Sequence, residues 1–544
     1  MLKLSRAATK FPPFPYSIKN KLLKSLVTRK LTLSNGLKVC LISDPLTPTS
    51  GAALSIEAGS WFDGAHAGTA HFLEHMLFLG TAKYPSESDY ERYIYDSNGS
   101  MNGYTANDHS MYYFSSLSPD KLEGALDRFS RFFYEPLFNS SCINREMNAV
   151  DEEYRKNIES DSWRAHHVLK DFAVQTHPFS MFNTGNLETM KLIDQSYMKK
   201  WFKKHYIANR MCLVVHGKNS LSELQTMVEL YFSPIKSGSV NEIIKGSIFR
   251  PEMKGKVAFV NPIKDLKRMT IIWEISHKFT DLTTKPAVLI GEMLGHEGTS
   301  SLLSMLKKRG LVEGLSAGPD TYGHENSLFE ISLSLTDEGL SKWNSVLSEV
   351  YAAISELSKL DFPIHAFDEA NFLSKVSYEF QDRSTSIATS YCSMMRLEPM
   401  DSFPLKSLFI ERFDPQSINE LLKRLIPETS IVMILAKQKP IKTDLKEKWM
   451  GAEYGLITNS ATALKASPIE FAKPNKYLPT NLSMSGYDSH EPVAIVNQKG
   501  VELYHFADQS FNLPETYIMF NLKTPRINPG DARSLCLAAL FNRY

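Results

Sequence analysis

The sequence predicts an α+β fold: two homologous α/β-sandwich units in tandem, with mostly antiparallel sheets covered by helices on one face, and an incomplete third unit. Three observations predict it. The chain has 544 residues, room for three to four domains at about 150 residues each. Hydrophobic residues make up 43% and charged residues 22%, the composition of packed cores and not of a disordered tail, a collagen-like fibre or a small disulfide scaffold. The order of elements read over residues 30–240 restarts near Gly246, and both passes end in a helix followed by an apolar strand.

The first pass opens at Lys30–Ile42, two strands around an Asn35-Gly36 turn, a strong hairpin signal. Gly51–Ala58 reads as a strand. Thr69–Leu79 reads as a helix capped by Thr69 and stopped by Gly80. Pro85–Ser97 reads as a helix opened by Ser86, with Asp89 three residues on. Gly99–Thr105 and Met111–Leu117 alternate as strands, Pro119–Phe133 has helical spacing, and Asn144–Phe172 reads as one long helix. Helix Gln195–His205 leads into strand Met211–Val215.

In the second pass Val257–Val260, Arg268–Glu274 and Leu328–Leu335 are strands, and Lys285–Leu294, Ser300–Lys308 and Asp337–Leu357 are helices. Pro415–Leu425 and Ser430–Ala436 repeat the helix-then-strand ending. Gly455–Thr480, rich in Ser, Thr, Lys and Pro, reads as a linker. Glu491–His505 and Thr516–Leu522 then read as strands and Asp531–Phe541 as the start of a helix. The boundaries that follow are a basic arm at 1–29, a first unit at 30–240, a second at 246–450, a linker at 451–486 and a partial third unit at 487–544. About 55 residues are too few for another unit of this size, so the chain is expected to be a fragment of, or truncated relative to, a longer parent.

Sixty-one basic residues balance 60 acidic ones for a net charge of +1, which argues against a dedicated nucleic-acid binder. Cys40, Cys142, Cys212, Cys392 and Cys536 are scattered and include no CxxC, so neither a disulfide framework nor a cysteine-ligated zinc site is implied. No apolar run approaches the roughly 18 residues of a membrane helix, and no apolar stretch followed by a small-residue cleavage site marks a secretory signal. From Met1 to Ser43 there is no acidic residue. That is the charge pattern of a mitochondrial transit peptide, but Pro12, Pro13 and Pro15 interrupt any early amphipathic helix. A cytoplasmic location is the default expectation, with mitochondrial and periplasmic locations as alternatives.

The chemistry sits at His71-Phe72-Leu73-Glu74-His75. On a helix, residues four apart share a face, so both imidazoles can reach one metal, and Glu74 projects close enough to hold a water beside it. The order H-x-x-E-H inverts the H-E-x-x-H zinc signature. With every acid counted as Glu, composition would supply it by chance at most roughly 0.05 times in a chain like this. Two histidines and one distant carboxylate make a catalytic zinc site with an open fourth position, where a neighbouring Glu serves as general base. The helix after Asn144 offers Glu146, Asp151, Glu152, Glu153 and Glu159. Glu146 and Glu153, two turns apart, share a face. Spacing does not choose between Glu152 and Glu153.

The stretch AGTAHFLEHMLFLGTAKYP, with LEGALDRFSRFFYEPLF and NREMNAVDEEYRKN, resembles the insulysin/pitrilysin family of inverted-motif zinc peptidases. The resemblance continues through His177–Asn186, Leu294–Gly310 and Leu335–Leu340, and covers nearly the whole chain beyond Lys30. It implies that the tandem units are half of a clamshell, the first catalytic and the second inactive. It implies one zinc ion per chain held by His71, His75 and Glu153, the second acid of a V-D-x-E segment, with Glu146 supporting the site from behind. It implies Glu74 as general base. It implies peptide substrates added as a strand along Ser100–Thr105, with Asn102, Gly103 and Tyr104 as binding residues, while His109 is read as structural. The 77 residues between His75 and Glu153 are one more than the resemblance leads us to expect, and the Ser115–Lys121 turn is where the extra one fits.

The chain also departs from the family. The second half, whose Arg and Tyr hold the substrate, would lie beyond Tyr544. The segment matching the family's Gly-rich peptide anchor reads Leu315-Ser316-Ala317-Gly318-Pro319. The leading expectation is a zinc metalloendopeptidase for short to medium peptides, with no nucleic-acid or membrane partner. The alternatives are a non-catalytic peptide-binding or scaffold subunit that needs a second half-chain or a homo-oligomer, and a mitochondrial-type processing peptidase.

Overall fold

Strand propensity around Asn35-Gly36 starts the first sheet: Gly36, at φ +88°, donates to the Leu33 carbonyl while the Leu33 N–H donates to the Leu37 carbonyl, a three-residue hairpin loop whose last position takes the left-handed backbone. The computed structural model describes residues 25–239, 244–322, 325–380, 386–461, 469–483, 491–508, 513–524, 526–527 and 530–541. The chain divides after Leu478 into two compact units. The larger holds two sheets. The first is built from β1 (Val27–Thr32), β2 (Lys38–Ser43), β3 (Ser50–Ile56), β4 (Ser100–Thr105), β5 (Ser110–Leu117) and β6 (Met211–Gly217), in the order β1-β2-β6-β3-β5-β4. The second is built from β7 (Lys256–Val260), β8 (Arg268–Ser276), β9 (Val312–Tyr322), β10 (Asn326–Leu335), β11 (Ser430–Leu435), β12 (Leu445–Lys446) and β13 (Glu453–Thr458), in the order β12-β13-β7-β11-β8-β10-β9. Each sheet has one parallel pair, β2 with β6 and β7 with β11, among otherwise antiparallel neighbours. Setting β13 on β1, β7 on β2, β11 on β6 and β9 on β4 makes the two orders coincide. The expected tandem repeat is therefore a repeat of topology.

Helices α1 (Thr69–Leu77), α2 (Asp89–Asp96), α3 (Leu122–Arg131) and α4 (Ser140–Ile158) cover one face of the first sheet. Phe72, Leu73, Met76, Phe129 and Val150 from these helices meet Leu54, Tyr112 and Leu213 from the strands. The other face of each sheet is covered by a helix that the opposite repeat supplies. α5 (Asp161–Asp171) places Val168 and Leu169 on Ala258, Ile272 and Met433 of the second sheet. Helix Ile387–Leu397 places Ala388, Tyr391, Cys392 and Met395 on Ala53, Met111 and Val214 of the first. Exchanging helices buries apolar area across the boundary at roughly 25 cal/mol per Å², so the two repeats stabilise each other.

Several expectations are corrected. Asn144–Phe172 is two helices, because Ser160 is extended (φ −99°, ψ 117°) and the Asp161 carboxylate accepts the backbone N–H groups of Ile263 and Lys264 at 2.7 and 2.9 Å. That anchor turns α5 onto the second sheet. α1 is capped by Asp63, which accepts from Gly68 and Ala70 at 2.6 and 2.8 Å, while the Thr69 hydroxyl donates to the His66 carbonyl. α2 begins at Asp89, not at Ser86. Asp337–Leu357 breaks at Lys342. Val27–Arg29, assigned to the arm, is part of β1; residues 1–24 lie outside the described ones. Glu453–Thr458, read as linker, is β13. β9, helix Ile364–Glu379 and helix Ile387–Leu397 were not anticipated.

In the second unit β14 (Val493–Gln498) and β15 (Val501–His505) form a hairpin, and Ala532–Phe541 is helical. Thr516–Leu522, expected as a strand, has no regular structure. Among the described residues no helix is long and apolar enough to cross a membrane.

Candidate active site

The N-terminus of α1 lies backbone-to-backbone on the loop after α5. Gly68 has φ +90°, and a Cβ there would sit 2.3 Å from the Gly185 Cα. This approach brings the Thr184 carbonyl to 2.7 Å from His71 Nδ1. Nδ1 then carries the proton it donates, which leaves Nε2 of His71 free. One helical turn on, Glu146 Oε2 lies 3.6 Å from His75 Nδ1, so the second imidazole is turned the same way.

The two Nε2 atoms face Glu153 on α4, whose Oε2 is 3.4 Å from that of His71 and 3.7 Å from that of His75. One donor atom from each of the three residues lies within 4.8 Å of the others, and among the described residues this is the one such group of His, Cys, Asp or Glu. A tetrahedral zinc site with bonds of about 2.0–2.2 Å needs donors roughly 3.4 Å apart. The donor set fits that ion. Glu152, the residue spacing could not separate from Glu153, is exposed and stands outside the group.

Glu74 is buried at 8% exposure, and its Oε2 accepts the Thr105 hydroxyl at 2.6 Å. Opposite it, Gly103 leaves room: a Cβ there would sit 3.2 Å from Glu74 Oε1. Burial pushes the Glu74 carboxyl above its ordinary range, against the pull of His71 and the Thr105 hydroxyl. Burial disfavours charge on both imidazoles as well. Glu146 and Glu153 overcome it at His75, which rises to about 9, and Glu153 with Glu74 raises His71. In return the two imidazoles hold Glu153 well below the carboxylate range.

The structure places every anticipated site residue. His71, His75 and Glu153 converge; Glu74 lies beside them on α1; Glu146 stands behind His75. Asn102, Gly103 and Tyr104 lie on β4, the outermost strand of its sheet. Thr105, Thr184 and Asp63 were missed. Strand alternation, which puts Thr105 on the Gly103 face, was the available signal for the first; a backbone carbonyl such as that of Thr184 leaves none.

Three family matches fall on this frame: Insulinase (Peptidase family M16) over residues 38–174, the Peptidase M16 inactive domain over 193–372, and the middle or third domain of that peptidase family over 377–544. The chain belongs to the insulinase/pitrilysin family. Insulin-degrading enzyme of Drosophila melanogaster is 34% identical over 520 residues, which cover 91% of this chain and 52% of the relative. The A-factor-processing enzyme of Saccharomyces cerevisiae is 31% identical, with 95% and 52% covered. The crystal structure of pitrilysin, another family member, matches with a TM-score of 0.81 at 26% identity, over 91% of this chain and 54% of that one. This family member spans about half the length of the curated relatives it matches.

Proposed function

We propose that the chain is a zinc-dependent metalloendopeptidase acting on short to medium peptides, with one zinc ion held by His71, His75 and Glu153. The observation that carries this reading is the convergence of two oriented Nε2 atoms and one carboxylate oxygen beside a buried, unligated carboxylate, Glu74. When bound, zinc supplies a Lewis acid that polarises a peptide carbonyl and acidifies water. Every other step belongs to the protein. Thr184 and Glu146 fix the two imidazoles. β4 offers its free edge to an extended peptide, whose backbone pairs with it without regard to side chains. Glu74 takes a proton from the attacking water and returns it to the leaving amine, and the burial that raises its carboxyl above the ordinary range makes it the stronger base. Relatives are named for degrading insulin, a peptide hormone, and for processing A-factor, which supports the substrate class.

Metal analysis and mass-spectrometric peptide cleavage on the whole chain test the proposal. The wild-type chain should carry one zinc ion and cleave. Glu74→Gln should keep the zinc and lose at least about 10²-fold in turnover. A Glu74→Gln chain that cleaves at the wild-type rate, or a wild-type chain that takes up no zinc, ends the proposal.

A further inference from the structure

β4 is bonded to the sheet only through β5, yet it is the strand the proposed function asks to meet a peptide. Its two faces are held by different repeats. Gly103 and Thr105 face α1 and Glu74. Tyr104, on the opposite face, stands across from Met111, which packs under helix Ile387–Leu397. From that helix a chain of polar contacts runs to the strand. Arg396 Nη1 donates to Asp108 Oδ2 at 2.6 Å. Asp108 Oδ1 lies 2.8 Å from His109 Nδ1. His109 Nε2 lies 3.2 Å from the Tyr104 hydroxyl.

The protonation follows from the partners. A carboxylate accepts, so Nδ1 of His109 carries the hydrogen and Nε2 is left to accept the phenol O–H. The Arg396 and Asp108 side chains are only 12% and 15% exposed, and the pair joins residues 288 apart in sequence. Burial alone would raise the Asp108 carboxyl; His109 and Arg396 together hold it at about 2. A largely buried charge pair of this kind costs desolvation and is costly to break by truncating one partner. Asp108 itself sits in the β4–β5 turn, whose backbone is tied to the segment before α1: Ser60 and Trp61 donate to the carbonyls of Ala106 and Asn107 at 3.0 and 2.8 Å.

We infer that Arg396 is a positioning residue for the substrate-binding strand: acting from the second repeat through Asp108 and His109, it fixes Tyr104 and with it the edge that an incoming peptide joins. The inference rests on the proposed peptidase reading for its substrate class, and it gives the inactive repeat a part in peptide binding.

The test is steady-state kinetics on the whole chain with an internally quenched peptide, alongside zinc content. Arg396→Gln should raise KM about tenfold, with kcat within about twofold of wild type and zinc unchanged. Arg396→Lys, which keeps the charge, should recover most of the loss. Tyr104→Phe removes one hydroxyl from a side chain 39% exposed, leaves folding intact, and should raise KM about threefold. An unchanged KM in Tyr104→Phe overturns the inference, as does an Arg396→Gln chain that keeps its KM or loses kcat and zinc together. A wild-type chain that binds the quenched peptide without cleaving it ends the peptidase reading alone. In that case the anisotropy-measured Kd takes the place of KM, and the same tenfold weakening in Arg396→Gln decides the inference. A chain that neither cleaves nor binds the peptide overturns both.

Discussion

Helices Thr69–Leu77 and Pro286–Leu294 occupy the same place in the two repeats and are both nine residues long. Counted from their first residues, His71 corresponds to Val288, Glu74 to Gly291 and His75 to Glu292. In the first repeat the glycine is on the strand: Gly103 stands back and the Glu74 carboxylate fills the gap between helix and sheet. In the second the glycine is on the helix: Gly291 lies directly on the β9 backbone, where a Cβ would be 2.9 Å from the Ala317 oxygen. One gap holds the carboxylate proposed as general base and the other is closed. A shared frame thus hosts a site or abolishes it according to which side of one helix–strand contact gives up its side chain. The two lent helices carry a parallel contrast. Lys170 and Arg396 are each the tenth of eleven residues, but Lys170 donates to the carbonyls of Phe179 and Met181, while Arg396 pairs with a carboxylate.

The largest effect should separate the two repeats. Glu153→Gln or His71→Ala should weaken zinc binding by more than about 10²-fold in a chelator competition, and Glu146→Gln by roughly 10–100-fold, the range for a group that orients a ligand. Glu292→Gln, at the position matching His75, should leave zinc affinity unchanged. Equal losses from both repeats would mean that the metal does not sit where the donors converge.

The lent cations should differ in how stability responds to pH. Burial drives the Lys170 ammonium down from about 10.5 to about 7, only partly opposed by Asp63 and Glu447. Its folded pKa lies below the unfolded one, so the native chain binds fewer protons between them. Stability should therefore rise from pH 7 to 10.5 and be lost as pH falls through 7, by on the order of a few kcal/mol. Asp63, raised to about 7 chiefly by burial, works in the window below 7, while Lys285, lowered to about 8 by burial, and His75, raised to about 9, act in the upper window with opposite signs. The difference between denaturant midpoints at pH 7 and 10 should shrink in Lys170→Met relative to the wild type and hold in Arg396→Gln, since a guanidinium does not titrate there.

The site was more legible in the sequence than the frame that holds it. The motif helix, the Asn35-Gly36 turn and the acid-rich face of α4 are local patterns, set by spacings of two to seven residues. Glu153 was separated from Glu152 by resemblance alone, because adjacent residues on a helix point about 100° apart and only the register of α4 against α1 decides between them. The break at Ser160 lies inside an unbroken helical periodicity; what turns the chain is the contact of Asp161 with Ile263 and Lys264, about a hundred residues on. β9 was hidden by Gly314, Gly318 and Pro319, which depress strand propensity. Pro319 is tolerated because β9 is the last strand of its sheet and pairs on one side only. Helix Ile387–Leu397 shows its apolar face to the other repeat's sheet, a partner its own sequence does not name.

The smallest effect should come from one methyl group added to each repeat. In Gly291→Ala the new Cβ meets backbone, the Ala317 oxygen and the Gly318 Cα both at 2.9 Å. Backbone on a paired strand yields only by shifting the helix, so overpacking should cost about 1–3 kcal/mol, read as a lower melting temperature with zinc affinity unchanged. In Gly103→Ala the nearest atoms are Glu74 Oε1 at 3.2 Å and Glu74 Cγ and Tyr112 Cδ1 at 3.3 Å. The Glu74 side chain can move by the few tenths of an ångström required, so the melting temperature should hold. That same movement draws the carboxylate off the Thr105 hydroxyl and away from the position where it receives a proton, so turnover should fall several-fold. The same substitution would then cost stability in one repeat and rate in the other, and a loss of turnover without loss of fold from Gly291→Ala would break the correspondence between the two helix–strand gaps.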